Sequence, residues 1–412
     1  MAAFFPDISR ASRERPLNRR TELQRRGENR NLELLISEAL RRASTRLEWP
    51  VAGVLMRPVQ VVRPHELRDD HWIAWAAVQA SNSHFDSAFF APDLAWLVST
   101  VRDDVEVALM EDGGELVGFF PFLRSPSGMA LPVAGRLSEF QGPITGRGLE
   151  WDLVDLIQKA RLQAWYFDHL PPAQLGYVAH GWSTIDSPFA DLSRGFEAYD
   201  AELRQRGQTV AQVRRKERKL AREVGPLRFE MHTTDKQAFD FLLAWKSDQY
   251  ERTRRLQIFN YPWTGRLLDA VRRHQSDRFA GVMSALYAGD QLAAVHLGIR
   301  TRQVLHIWFP TYTRALEQYS PGLILLLHLA EQAVVDGIRR IDFGTGDERY
   351  KQQFKSGDIQ LLVGGVDFRL ACASIRRGWH SVNQWVRRSP YREYLEIPIN
   401  ATRKYRQRLA FR

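Results

Sequence analysis

The sequence predicts a mixed α/β protein made of two domains of one fold, and three observations carry that expectation. Residues 105 to 124, VEVALMEDGGELVGFFPFLR, align with 282 to 300, VMSALYAGDQLAAVHLGIR, after one deletion in the turn, and both copies follow a pair of helical stretches. Residues 319 to 355 read as a complete helix, strand and helix with a polar cluster at each joint. At 412 residues and 44% apolar, the chain is long enough for two cores of ordinary size. Hairpins alternating with helices imply, in each domain, a mixed and mostly antiparallel sheet flanked by helices.

In order along the chain, residues 1 to 48 form a basic arm with 11 arginines against 7 acids. Its first 30 residues, broken by Pro6, Pro16 and Gly27, read as disordered, and an apolar stripe from Leu32 to Leu47 reads as an amphipathic helix. The first domain is placed at 49–195. It has a strand from Val59 to Arg63, helices near 65–79 and 90–101, and a hairpin turning at Asp112-Gly113-Gly114. A helix near 151–162 and a strand from Ala164 to Asp168 follow.

The second domain is placed at 196–370 and opens on AELRQRGQTVAQVRRKERKLARE, residues 201 to 223, a basic helical stretch able to grip phosphates or to lie solvated between domains. Helices at 235–253 and 263–274 lead into the second hairpin copy. In the hairpin Gln291 to Pro310, Val295, Leu297 and Ile299 alternate with His296, while Leu305, Ile307 and Phe309 alternate with His306 and Trp308. A loop at Arg300-Thr301-Arg302 sets His296 opposite His306 on the less apolar face.

Ser320, Pro321 and Gly337 mark the two ends of the next helix. Its first amides, on Gly322, Leu323 and Ile324, offer a seat for phosphate or carboxylate oxygens, although any capped helix has such an end. The strand Ile338 to Phe343 then empties through Gly344-Thr345-Gly346-Asp347 into a helix from Glu348 to Lys355. Asp342, Asp347, Tyr350 and Lys351 gather at that carboxyl edge, where open sheets hold ligands; Asp347 reads equally well as a plain N-cap. From 371 to 412 runs a basic arm whose Trp379 and Trp385 suit either a packed helix or one lying on a membrane surface.

The net charge of +10 belongs to the two arms, which carry +4 over 1–48 and +8 over 373–412 and leave about −2 for the body. That disfavours a nucleic-acid-binding core and leaves arms able to meet an anionic membrane surface or a polymer synthase. A single cysteine, Cys372, excludes an intrachain disulfide framework and fits a reducing cytoplasm. No stretch approaches the ~20 apolar residues of a membrane span, so the expected location is cytoplasmic or peripheral at the inner face of the plasma membrane. No carboxylate or cysteine completes a metal set with the histidines, and no metal is expected.

Taken together, WFPTYTRALEQYSPG, DGIRRIDFGTGDERYKQQF and the RRKERKLARE helix resemble the cellulose-biosynthesis (CelD/BcsL) type acetyltransferases of the GNAT superfamily, over about residues 58 to 370. The resemblance implies tandem GNAT-like acyl-CoA N-acyltransferase domains, as in the related Fem-like transferases. The donor, acetyl-CoA or another acyl-CoA, would lie in the second domain with its pyrophosphate at Ser320, Gly322, Leu323 and Ile324. Tyr350 would take the place of the acid that protonates the departing thiolate. The usual phosphate signature is reduced here to Ser-Pro-Gly.

The expected activity is acyl transfer to a hydroxyl or amine of a sugar or polysaccharide precursor, in bacterial exopolysaccharide or envelope glycan assembly. The catalytic candidates are His296 or Asp347 as base, Tyr350 as acid, and Lys351 to neutralise charge, with amides near Trp308 to Pro310 as oxyanion donors. The acceptor would meet His306, Trp308, Tyr312 and Asp342. The alternatives are a Fem-like transferase using aminoacyl-tRNA, with the basic helix on the RNA, and a catalytically silent module that docks a polymer or synthase.

Overall fold

The computed structural model describes residues 58–388, apart from Gly148, Glu150 and 172–174. The N-terminal arm with its 31–47 helix, the side chain of Trp385 and everything after 388 lie outside the described residues.

The first half comprises β1 (Val59–Val62), α1 (Asp69–Ala80), α2 (Pro92–Ser99), β2 (Val105–Asp112), β3 (Glu115–Arg124), β4 (Met129–Leu131), β5 (Ile144–Thr145), α3 (Leu153–Lys159), β6 (Ala164–Leu170) and β7 (Gly181–Asp191). The second comprises α4 (Phe196–Arg206), α5 (Thr209–Glu223), β8 (Leu227–Glu230), α6 (Lys236–Arg252), α7 (Pro262–Arg273), β9 (Ala280–Ala288), β10 (Gln291–Arg300), β11 (Val304–Tyr312), α8 (Pro321–Val335), β12 (Arg340–Asp342), α9 (Arg349–Phe354), β13 (Gly357–Asp367) and α10 (Leu370–Arg388).

All thirteen strands join one mixed sheet, in the order β1-β2-β3-β4-β6-β13-β7-β12-β11-β10-β9-β8 with β5 beside β3. Pairing crosses the halves three times. Strand β13 lies antiparallel between β6 and β7, and β7 in turn borders β12. Helices cover both faces. One face packs α1, α2, α6 and α7 in a core continuous across both halves, through Trp75, Leu94, Leu242 and Leu267. On the other face α4, α5 and α8 cover the second half and α3 covers the first.

The two repeated segments are both antiparallel hairpins, β2–β3 and β9–β10, each interrupted by a bulge. The fold is thus the expected mixed α/β arrangement, with a hairpin of the same form in each half.

Two expectations are corrected by the register. The Thr301 amide donates to the Val304 carbonyl and the Thr301 hydroxyl accepts from the Val304 amide, so the turn falls at Arg302-Gln303, further along the chain than expected, and Ile299, not His296, pairs with His306. A bulge at Trp308 then shifts the ladder again and leaves His296 opposite Pro310. The bulge also breaks the alternation of β11: Leu305 and Ile307 pack toward α8, whereas both Trp308 and Phe309 pack toward the opposite core. Helix α9 is also shorter than expected, running from Arg349 to Phe354 with Glu348, not Asp347, in the N-cap position.

Candidate functional site

The sheet opens between β11 and β12. The two strands pair in parallel only from Val304↔Arg340 to His306↔Asp342, after which β12 ends and β11 continues six residues further to Tyr312. An opening at the carboxyl end of parallel strands is where α/β sheets admit ligands. A cavity of about 30 Å³ sits in it, lined by Lys246, Gln249, Tyr250, Arg255, Trp308, Pro310, Phe343, Glu348, Tyr350 and Lys351. Its walls come from both cores, Tyr250 and Trp308 from one and Phe343 and Tyr350 from the other, so it passes through the sheet. Outside it lies a groove of about 300 Å³ between α6 and the end of β11, lined by Trp245, Asp248, Gln249, Arg252, Tyr312 and Thr313. Gln249 borders both spaces.

Tyr350 is buried on α9, and burial, reinforced by Glu348 and Glu139, pushes its phenol well above the ordinary tyrosine range. It therefore rests as the neutral phenol near neutral pH, with a proton to donate. Lys351 is also buried. Its Nζ donates to the carbonyls of Gly344 at 3.1 Å and Thr345 at 2.9 Å and lies 3.3 Å from Glu348 Oε2, so it clasps the turn that carries Tyr350. Asp347 is exposed and is not part of the cavity lining, whereas its neighbour Glu348 is buried in that lining. Burial raises the Glu348 carboxyl despite Lys351.

The two histidines separate. His306 makes edge contacts with Phe89 at 4.9 Å and Phe140 at 6.3 Å, with Nε2 3.5 Å from Glu139 Oε2. His296 lies on the other face of the sheet from Val295 and Leu297, and burial, with help from His306 and Lys246, pushes its imidazole down to about 3. It is a neutral ring at neutral pH. Neither histidine lines the cavity.

Lys246 does line it, on α6, where the sequence alone gave it no role. The side chain is 6% exposed, and burial, supplemented by Lys351 and opposed by Glu348, pushes its amine down to about 7. Its Nζ donates to Gln249 Oε1 at 3.1 Å. Among the predicted acceptor residues, Trp308 lines the cavity and Tyr312 the groove. Asp342 is fully buried and accepts from Arg340 Nε at 2.8 Å, away from both spaces.

At the start of α8, Ser320 adopts the left-handed conformation at φ 55°, unusual for a residue with a side chain. It does not cap. Its Oγ accepts from Lys216 Nζ of α5 at 2.8 Å, and its carbonyl takes the Leu323 and Ile324 amides at 3.0 and 3.3 Å. Of the three expected amides, these two are therefore turned inward. Lys216 stands at the mouth, its amine lowered by burial with Arg215 and Lys219 adding to the effect. The basic helix α5 is thus packed along α8, with Glu217 Oε1 2.6 Å from His328 Nε2 and Glu223 accepting from the Tyr319 hydroxyl at 2.9 Å.

The first half props the opening from behind. Trp308 Nε1 donates to the Leu137 carbonyl at 2.9 Å, and His169 joins Asp168 at 2.7 Å and the Thr345 hydroxyl at 3.0 Å. Burial opposes charge on His169, but Asp168 and Glu139 win and its imidazole is raised. Gly344, at φ 71°, sits so close to the Glu139 carboxylate that any side chain there would collide with it.

Residues 207–352, from α5 into α9, match the model of the acetyltransferase (GNAT) domain. No curated protein matches the chain significantly. Among solved structures, FemX aligns at TM-score 0.50 with 10% identity over 75% of this chain and 97% of its own. A tandem GNAT protein from the clavulanic acid biosynthesis pathway aligns at 0.43 with 11% identity over 75% and 98%. A conserved protein from Bacteroides thetaiotaomicron aligns at 0.46 with 11% identity over 76% and 100%. At such identities the likeness is one of fold. The domain match makes the second half an acyltransferase unit, for which an acyl-CoA is the donor. Among the described residues no helix is long and apolar enough to cross a membrane.

Proposed function

We propose that the chain transfers an acetyl or other acyl group from acyl-CoA to a hydroxyl or amine of a saccharide or polysaccharide precursor, in the manner of the CelD/BcsL type. The single observation that carries this reading is the cavity at the sheet opening, because it joins a buried phenol that rests in its protonated form, Tyr350, to an outer groove suited to a polyhydroxy acceptor. In that groove Trp245 offers an aromatic wall, with Asp248, Gln249, Arg252 and Thr313 as hydrogen-bonding groups beside it.

The donor phosphates would sit at the start of α8, where the Gly322 amide and the Lys216 ammonium are at hand. The thioester would reach into the opening, where Tyr350 gives the leaving thiolate its proton. The basic arms would bring the enzyme to a synthase or an anionic membrane face. The test is thermal stabilisation across CoA, acetyl-CoA and longer acyl-CoAs, followed by thioester consumption with a panel of sugars and amino sugars. A rise in melting temperature with CoA and acceptor-dependent release of thiol is expected.

A second reading, aminoacyl-tRNA as donor, is favoured only by the basic α5 beside the α8 mouth. It requires tRNA binding that falls steeply with salt, and salt-independent or absent binding removes it.

A further inference from the structure

Acyl transfer needs a group that takes the acceptor's proton, and the residues around the opening narrow the choice. Asp347 lies outside the cavity, and His296 is both outside it and too weakly basic. Glu348 lines the cavity but is held by Lys351 at 3.3 Å. Two other basic side chains line it: Lys351 is tied to the Gly344 and Thr345 carbonyls, and Arg255 carries a guanidinium, a poor base. That leaves Lys246, which reaches the cavity from α6, opposite the α9 wall bearing Tyr350 and beside Gln249 at the passage to the groove.

We propose that Lys246 is the general base of the transfer, its neutral amine taking the proton from the acceptor hydroxyl or amine inside the cavity it shares with Tyr350. This rests on the acyl-CoA reading above. The acceptor oxygen or nitrogen bonds to the thioester carbonyl carbon as its proton passes to Lys246. The carbon–sulfur bond breaks, and the thiolate leaves with the Tyr350 proton. The Lys246 ammonium then returns its proton to the Tyr350 phenolate, so both side chains are restored and the net products are the acylated acceptor and free CoA thiol.

The surroundings support the assignment. Glu348, Lys351 and Tyr350 face Lys246 from α9, Arg255 from the loop after α6, and Tyr250 from its own helix, with His296 close behind on β10. Burial, with Lys351 adding to it, outweighs the one carboxylate, Glu348, and brings the amine to about 7, near the pH at which a base works best.

The test uses the full chain. Trace labelling with acetic anhydride, read lysine by lysine, should give Lys246 a midpoint near neutrality, far below that of a free lysine. The pH profile of acetyl-CoA consumption with the best acceptor of the sugar panel should rise through the Lys246 midpoint. Lys246→Met should lose that limb and at least about 100-fold in kcat, while the CoA-induced rise in melting temperature stays the same. Lys246→Arg should fail equally, because a guanidinium keeps its proton.

Ordinary lysine titration at 246, an unaltered pH limb in Lys246→Met, or full rescue by Lys246→Arg overturns the proposal. If the wild-type chain neither gains stability with CoA nor consumes acetyl-CoA, the donor reading fails and takes this assignment with it.

Discussion

The hairpins β2–β3 and β9–β10 have the same form, but the first half fills its copy with phenylalanine and the second threads polar groups through its own. Phe119, Phe120 and Phe122 are all buried on β3, whereas Ser284 and His296 are buried on β9 and β10. The helices that follow diverge further. In the first half α3 has seven residues, and its Asp152 carboxylate accepts from the Asp155 amide at 2.7 Å, so its start is closed and negatively charged. In the second, α8 has fifteen residues, and Ser320 leaves the capping role to accept from Lys216 instead. A carboxylate at a helix start occupies the place an anion would take and repels it, whereas an ammonium there attracts one. One half has become a packed scaffold that steadies the Gly344–Asp347 turn, and the other has kept a polar opening that costs stability.

That difference can be broken or sharpened by substitution. The largest effect should be on stability, at Lys246. The unfolded chain keeps this proton up to about 10.5 and the folded one only to about 7, so between those values the unfolded state binds more protons and stability rises with pH. Lys246→Met removes the penalty and should raise stability at pH 7.5 by up to roughly 4 kcal/mol, a gain that shrinks to nothing near pH 10.5. Urea titrations at pH 7.5 and 10 would measure it; equal gains at both would show that the site is not strained by the buried amine.

Next in size, Tyr350→Phe should lower kcat about 100-fold with donor affinity unchanged, read from steady-state turnover and CoA titration. His169→Ala acts from the scaffold side. It removes the contact to Thr345 and should cost about tenfold in kcat with little change in donor affinity, provided the variant remains folded. The smallest effect belongs to Asp152→Ala, which should cost about 1 kcal/mol for the lost cap and leave CoA binding untouched.

The same contrast explains what could be read from the sequence. The two hairpins announce themselves because each is local and bounded by glycine turns, and the helix at Pro321 by its capping residues. Strands β7 and β13 do not. Their sequences, GWSTIDSPFAD and GDIQLLVGGVD, carry Ser, Thr, Asp and Gly among the apolar residues, and their pairing joins residues such as Ile185 and Leu361 that are far apart in the chain. The histidine pairing failed because register depends on where the turn falls and on the bulge at Trp308, neither of which is marked in the sequence.

Within the site, Tyr350 is legible because it belongs to a compact motif after the glycine turn. Lys246 and Glu348 are not, since WKSDQY reads as part of an ordinary helix until the sheet and α9 close over the lysine. Its significance arises from burial, and burial is a property of the tertiary structure.

The central claim is that anionic donor binds at the second half and not at the first. Hydrogen exchange with and without CoA measures this directly, peptide by peptide. The account predicts added protection at residues 319–326 and around the 344–351 turn, with none at 152–158; protection at the start of α3 with none at the start of α8 would contradict it.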